Sequence, residues 1–251
     1  MGKNGFFRIM WGDPWDKPTG AGGDICLDLI LLQHNELEQK AKTPILVYGT
    51  ENFNRLTDMG FNCVIIEKKK SVLPAENTLL HKLLGWKIGM KMFDTAICLD
   101  IDCHQVRELP KDFWSIHQKK SALQIPLIGY RRRYIMWRKA DKNIIPCCCY
   151  VYFRGSDQTK MAFKALESLR VDPTISGWFT DETVMAKVLE EMDGGWHGVA
   201  EYAKLHEPEF FSTGKIPEFP GPSPAYFVHY LRQQSVIKAL RSKGIKLPHE
   251  E

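Results

Sequence analysis

Short apolar runs alternate with longer amphipathic stretches along the first part of the chain. The apolar runs are rich in aromatic and branched residues, and they predict strands at residues 6–11, 45–48, 63–66 and 96–99. The stretches between them repeat apolar residues at helical spacing and predict helices at 24–42, 53–59 and 76–92. Strands that alternate with helices in this way predict an α/β fold with a mostly parallel sheet.

The second part of the chain gives fewer signals of the same kind. Alternating apolar and aromatic residues predict a central strand at 144–153 and a short strand at 226–230. Residues 106–114 are expected to pass over the surface, and four prolines at 217–224 predict an extended linker. Amphipathic stretches predict three further helices, at 158–169, 184–192 and 233–243.

Composition narrows the class of protein without identifying it. The chain has 251 residues, of which 44% are hydrophobic and 25% charged, as expected for one globular domain with a sizeable core. A net charge of +4 is too small to indicate a dedicated nucleic-acid binder. No apolar stretch is long enough to span a bilayer, and the N-terminus lacks the apolar core of a signal peptide.

Cysteine usage bears on the compartment. The seven cysteines are an odd number and include the run 147–149, which is not the pattern of a disulfide framework. No paired Cys-x-x-Cys is present, which argues against a structural zinc site. We therefore expect the protein to work in a reducing cytoplasm, which could be that of an infected host.

Two carboxylates stand at the end of the predicted strand at 96–99. Asp100 and Asp102 are two residues apart, and in an extended chain such side chains point to the same side. Close carboxylates repel one another, and a divalent cation is the simplest way to keep both ionised. Mg²⁺ or Mn²⁺ with a substrate phosphate fits this pair, whereas the alternative is that the two residues merely begin a turn.

The residues around this pair resemble a known family. The segment Leu80-His81-Lys82-Leu83, the helix that follows it, the apolar strand and Leu99-Asp100-Ile101-Asp102 are similar to the core of GT-A fold glycosyltransferases. In that family an Asp-x-Asp motif holds Mn²⁺ or Mg²⁺ on the diphosphate of a nucleotide sugar. The resemblance implies a Rossmann-like GT-A fold with a mixed, mostly parallel sheet flanked by helices. It also implies one catalytic domain over 1–251, divided into a nucleotide-sugar half at 1–104, an acceptor half at 105–230, and a C-terminal helix and tail at 231–251.

The resemblance also implies roles for residues outside the Asp pair. His229, in a Val-His-Tyr segment, corresponds to the third protein ligand of the metal, although a lone histidine in an apolar strand is ordinarily a hydrogen-bonded core residue. Lys82 corresponds to a basic residue that contacts the donor; its alternative is a solvated helix face. The end of the first strand and the loop after it would hold the nucleotide base through Met10, Trp11, Gly12 and Asp13. The alternative is that these residues form an ordinary connecting loop.

Two further segments bear on the acceptor. Asp181 and Glu182 precede a predicted helix and resemble the acidic element that faces the acceptor hydroxyl, with Asp181 the first choice; a helix cap is the alternative. The tract from Arg131 to Lys139 directly follows Tyr130 and interleaves five cations with two further aromatics, which suits an acidic or planar acceptor such as nucleic acid. The alternative is an edge hairpin whose arginines are solvated.

Three functions remain open on the sequence. The leading one is metal-dependent transfer of a hexosyl or pentosyl group from a nucleotide-diphosphate sugar to an acceptor hydroxyl. A UDP-sugar is the first choice of donor, and the acceptor is a glycan, a lipid-linked glycan or a modified DNA base. A nucleotidyltransferase that acts on a nucleoside triphosphate uses similar paired carboxylates. A non-catalytic nucleic-acid or polyanion binder would act through the basic tract alone. The sequence does not decide whether transfer retains or inverts the anomeric centre.

Overall fold

The apolar strands expected near the N-terminus lie side by side in one central sheet. The structure, a computed structural model, describes residues 2–10, 43–66, 74–100, 103–105, 107–119, 122–125, 127–129, 144–146, 148, 150–156, 159–160, 163–164, 211–214 and 226–230. Within these residues the strands are β1 (Asn4–Met10), β2 (Ile45–Tyr48), β3 (Cys63–Ile66), β4 (Thr95–Leu99), β5 (Cys103–Gln105), β6 (Leu123–Gln124), β7 (Leu127–Gly129), β8 (Ile144–Pro146), β9 (Tyr150–Arg154), β10 (Phe211–Gly214) and β11 (Phe227–Tyr230). The helices are α1 (Thr50–Asp58), α2 (Pro74–Met92) and α3 (Phe113–Gln118).

The central sheet has six strands in the order β3-β2-β1-β4-β9-β6. β1 pairs with β2 and β2 with β3 in parallel, whereas β6 and β9 are antiparallel. The α/β fold with a mixed, mostly parallel sheet flanked by helices is therefore confirmed. Two smaller sheets accompany it, one of three strands in the order β10-β11-β5 and one that pairs β7 with β8.

Several predicted boundaries match those of the structure. β2 and β3 have the predicted bounds, and α2 ends at Met92 as expected. α1 begins at Thr50, three residues before the prediction. It is followed by Gly60, whose φ of +85° lies in the left-handed region that glycine adopts without strain.

The predicted strand at 144–153 is wrong as a single element. It is two strands, β8 and β9, which belong to different sheets. Pro146, the last residue of β8, has no backbone N–H to donate to a continued ladder, so the proline marks the end of the first strand. Residues 107–112 are at least partly exposed, as expected for a surface segment. Phe113 is only 1% exposed and begins α3, which the sequence did not predict.

Several predicted helices cannot be compared with the fold. The helices expected at 24–42, 184–192 and 233–243, and the proline-rich linker, lie outside the described residues. Of the helix expected at 158–169, the structure describes 159–160 and 163–164, which are helical. No helix in the described part of the chain is both long and apolar enough to cross a membrane.

The chain divides into two compact units. The first comprises residues 1–5, 68–98 and 112–206, and the second comprises 6–67, 99–111 and 207–251. The functional halves expected at 1–104 and 105–230 stay a prediction. In the second unit an apolar cluster joins β1 and β2 to α1, and its buried members are Met10, Ile45, Val47, Leu56 and Phe61.

The first unit has an aromatic core. Trp86 of α2, which is fully buried, lies with its ring centre 5.6 Å from that of Phe153, which in turn lies 5.3 Å from Phe163. Large buried aromatic surfaces of this kind contribute strongly to stability. The α2 helix is thereby fixed against β9.

A buried polar network lies beside these aromatics. Gln124 donates from Nε2 to the backbone oxygen of His117 at 2.7 Å, which leaves Oε1 of Gln124 2.8 Å from Nδ1 of His117. Nδ1 therefore carries the proton, and Nε2 accepts from the hydroxyl of Tyr150 at 3.0 Å. Both ring nitrogens of this 1%-exposed histidine are satisfied, so we assign His117 a structural role.

Candidate metal and donor site

The Asp pair follows an interior strand, as the sequence predicts. The last four residues of β4 are at most 1% exposed, and Asp100 directly after them is partly exposed. β4 lies between β1 and β9 in the central sheet. An apolar strand thus delivers a carboxylate to the point where the chain leaves the core.

A backbone hydrogen bond joins Asp100 to Cys103. The N–H of Cys103 donates to the oxygen of Asp100 at 3.0 Å, and a bond from residue i+3 to residue i of this kind defines a turn. Asp102 lies outside the described residues, so the expectation that its carboxylate shares one side of the chain with that of Asp100 stays a prediction.

A neighbouring strand brings His229 to this turn. β5 begins at Cys103 and pairs with β11 in antiparallel fashion, with Cys103 opposite His229 and Gln105 opposite Phe227. Cα atoms of directly opposed residues in such a pair are about 4.5–5.5 Å apart. The backbone of His229 therefore lies across from the residue that follows Asp102, inside the same compact unit.

Arg8 binds both ends of this turn through its side chain, and nothing in the sequence predicted a role for it. Its side chain is 1% exposed, and one nitrogen, Nη1, donates to the backbone oxygens of Asp100 at 2.8 Å and of Cys103 at 2.6 Å. The signal that could have found it is a cation in the middle of an otherwise apolar strand, since arginine is almost never fully buried without partners.

Lys82 differs from its two neighbouring lysines on α2. It is 4% exposed, whereas Lys87 is partly exposed and Lys91 exposed. The alternative of a solvated helix face is thus excluded for Lys82 and holds for Lys91. A buried ammonium requires compensating polar or anionic groups. Its contact with donor phosphates stays a prediction.

Comparison with solved structures finds proteins of similar fold. One of them is mouse xyloside xylosyltransferase 1 in its apo form, which matches with a TM-score of 0.52 at 9% sequence identity, over 91% of this chain and 98% of that one. The fold of this chain is similar to that of the mouse enzyme. At this identity the likeness concerns the fold alone. No protein-family model matches the chain, and no curated protein does.

The fold shared with the xylosyltransferase does not test the remaining site predictions. Met10 is 4% exposed and belongs to the apolar cluster with α1, so its side chain has a packing role, and a contact with the nucleotide base stays a prediction. The other predicted residues lie outside the described residues and stay predictions: Trp11, Gly12, Asp13, Asp102, Asp181, Glu182 and the tract from Arg131 to Lys139.

The described residues contain part of a possible metal-binding set. No group of three His, Cys, Asp or Glu side chains that could hold a metal occurs among those that the structure describes. Asp102 is not in that part of the chain, and of His229 only the backbone position enters the description. The donor set Asp100, Asp102 and His229 therefore remains a prediction, which the register of β5 and β11 favours.

Proposed function

We propose that this chain is a metal-dependent glycosyltransferase that uses a nucleotide-diphosphate sugar as donor. The observation that carries the proposal is the antiparallel register that sets His229 opposite Cys103, one residue after Asp102. Residues from distant parts of the chain thereby come to one turn at the end of an interior strand. The fold shared with a xylosyltransferase supports the same reaction class.

Asp100, Asp102 and His229 would hold the metal in this proposal. Carboxylate oxygens and one imidazole nitrogen form a donor set that suits Mn²⁺ better than Mg²⁺, because Mg²⁺ prefers oxygen ligands alone. When bound, a divalent cation neutralises the charge that develops on the departing nucleoside diphosphate, an effect worth several kcal/mol. The protein's part is to fix the turn and to hold both carboxylates ionised.

The acceptor side of the reaction is assigned to Asp181, with Glu182 as second choice. If transfer inverts the anomeric centre, the carboxylate accepts the proton of the acceptor hydroxyl, for which it needs hydrogen-bond reach. If transfer retains configuration, the same carboxylate orients the hydroxyl. The donor is proposed to be a UDP-sugar, and the acceptor class stays open between a glycan, a lipid-linked glycan and a modified DNA base.

Calorimetric titration of nucleotide sugars with and without Mn²⁺ tests the proposal. Wild-type protein should bind a UDP-sugar only when Mn²⁺ is present. Asp102→Asn should bind the UDP-sugar no better with Mn²⁺ than without it. Asp58→Asn is the matched control, because Asp58 is an exposed carboxylate in the last turn of α1 and the substitution is the same. It should bind as the wild type does.

Each contrary outcome points to a different conclusion. Equal binding with and without Mn²⁺, in wild type and Asp102→Asn alike, overturns the proposal. Binding of a nucleoside triphosphate in place of a nucleotide sugar, with pyrophosphate released, favours a nucleotidyltransferase. Metal-independent binding of polyanions that weakens steeply with salt favours a non-catalytic binder.

A further inference from the structure

Arg8 occupies an unusual place for a cation. It lies in the middle of β1, between Phe7 and Ile9, which are at most 3% exposed, and its own side chain is 1% exposed. β1 is itself an interior strand, with β2 on one side and β4 on the other. Burial of a guanidinium is strongly destabilising unless hydrogen bonds satisfy it, so the partners of Arg8 indicate what it does in the core.

The hydrogen bonds of Arg8 converge on the turn that contains the Asp pair. Nη1 carries two hydrogens, and it donates to the backbone oxygen at each end of the turn, those of Asp100 and Cys103. The same oxygen of Asp100 accepts the backbone N–H of Cys103. One nitrogen therefore joins both ends of the segment from Asp100 to Cys103, through charge-assisted bonds that are stronger than neutral ones.

The backbone of Arg8 is itself held in place. Its backbone N–H donates to the oxygen of Pro44 at 3.0 Å, and it is in parallel register with Ile45 of β2. Two residues earlier on β1, Phe6 contacts Phe227 of β11 with ring centres 5.5 Å apart. β1 thus contacts both parts of the candidate metal site, the Asp turn through Arg8 and the His229 strand through Phe6, within one compact unit.

We propose that Arg8 is a positioning residue, which fixes the turn from Asp100 to Cys103 in the shape that binds the metal and the donor diphosphate. This inference rests on the proposed function. Arg8 touches backbone oxygens of the turn in the structure, so it acts through the Asp pair. Removal of its guanidinium should loosen the turn and weaken metal binding while the sheet around it remains folded.

Two substitutions at Arg8 test the inference. Arg8→Met removes every donor but retains a long apolar stem, whereas Arg8→Lys retains the charge on a side chain that is one bond shorter and reaches the two oxygens less well. Arg154→Met is the matched control, because Arg154 also donates from Nη1 to one backbone oxygen, that of Gln118 at 2.6 Å, in the other unit.

Three measurements separate positioning from general stabilisation. They are hydrogen exchange of the Cys103 amide in metal-free protein, Mn²⁺ affinity by electron paramagnetic resonance, and the thermal unfolding midpoint. Arg8→Met should speed exchange at Cys103 and weaken Mn²⁺ binding by about 10–100-fold, the range seen when groups that orient metal ligands are removed. Arg8→Lys should fall between Arg8→Met and wild type, and Arg154→Met should match wild type in both exchange and Mn²⁺ affinity.

The outcomes distinguish this inference from the proposed function. If wild type binds Mn²⁺ and a nucleotide sugar, and folded Arg8→Met matches it in exchange at Cys103 and in Mn²⁺ affinity, this inference alone is overturned. If Arg8→Met does not fold, Arg8→Lys decides in its place, and equality with wild type in both measurements overturns the inference. If wild type binds neither ligand, the proposed function is overturned, and the inference falls with it.

Discussion

Gly5 of β1 lies directly against the ring of Phe93. A Cβ added at Gly5 would overlap that ring, which is 8% exposed and also receives the ammonium of Lys3 at 5.0 Å from its centre. Neighbouring backbone bonds join the same segments, since Asp94 donates its N–H to the oxygen of Lys3 at 2.8 Å. The start of β1 can therefore approach the end of α2 only because position 5 has no side chain.

Substitution of Gly5 by alanine should destabilise the protein. The added methyl group must displace a packed aromatic ring, which typically costs about 1–3 kcal/mol. Chemical denaturation measures the loss as a lower midpoint. Gly155→Ala is the control, because its added Cβ would lie 4.0 Å from the nearest atom, the backbone oxygen of Asp94, which is an ordinary contact distance. An equal midpoint for Gly5→Ala and wild type would contradict the prediction.

Substitution of His117 by alanine should lower the free energy of unfolding more than the same substitution of Gln118, its exposed neighbour in sequence. It removes the hydrogen bonds that His117 makes with the hydroxyl of Tyr150 and with Oε1 of Gln124, and each bond lost in a core typically costs about 1 kcal/mol. Gln118→Ala, which removes an exposed side chain next in sequence, should stay within about 0.5 kcal/mol of wild type. Denaturation curves that place both variants together would show that the network does not stabilise the fold.

Stability should fall as the solution becomes alkaline. Burial raises the pKa of the Cys63 thiol to about 11 from its ordinary value of 9.0, although a hydrogen bond with Thr57 opposes the rise. Burial raises the pKa of Tyr48 and of Tyr152 as well. The folded state therefore holds these protons more tightly than the unfolded chain does, and the associated stability is complete below the unfolded pKa and is lost as pH rises through the folded one.

The thermal midpoint measured between about pH 8 and about pH 10.5 checks this sign. The midpoint should decrease as the pH rises past the ordinary pKa of a thiol, 9.0. Cys63→Ala should show a smaller decrease than wild type, because one of the three groups with a raised pKa is removed. A midpoint that rises or stays level with pH, or a steeper fall in Cys63→Ala, would contradict the assignment.

Substitution of His229 should alter the choice of metal. If its imidazole is the nitrogen ligand of the proposed site, His229→Gln should weaken Mn²⁺ binding by about tenfold or more and weaken Mg²⁺ binding less, because Mg²⁺ prefers oxygen. Competition of Mg²⁺ against paramagnetic Mn²⁺ measures both affinities. Asp58→Asn serves again as the control, and an unchanged ratio of the two affinities in His229→Gln would remove the imidazole from the ligand set.

The sequence predicted the strands of the sheet where local signals are strong. β2 and β3 are unbroken runs of buried or branched residues, one preceded by Thr43-Pro44 and the other by the turn at Gly60, so their bounds were predicted to the residue. β5, β6 and β10 have two to four residues and carry no period of their own. They exist because a neighbouring strand offers unpaired backbone groups, which is a tertiary effect.

Less of the candidate site could be predicted. The resemblance implied Asp100 and His229, and the register of β5 with β11 supports their proximity. The hydrogen bond between Asp100 and Cys103 was not predicted, because it depends on a turn that has no signal in the sequence. Arg8 was missed because its use appears only when residues far away in sequence are brought to β1. The burial of Lys82 likewise depends on which face of α2 the core covers, and three lysines on one helix look alike in sequence.

The pairing of β5 with β11 joins segments that are about half of the chain apart. Translation proceeds from the N-terminus, so the strand that carries His229 leaves the ribosome after β1 and β4 do. A nascent polypeptide can contain both of those strands and still lack the imidazole that would bind a cation beside Asp100. On the proposed function, a polypeptide that stops before His229 is therefore unable to use a nucleotide sugar.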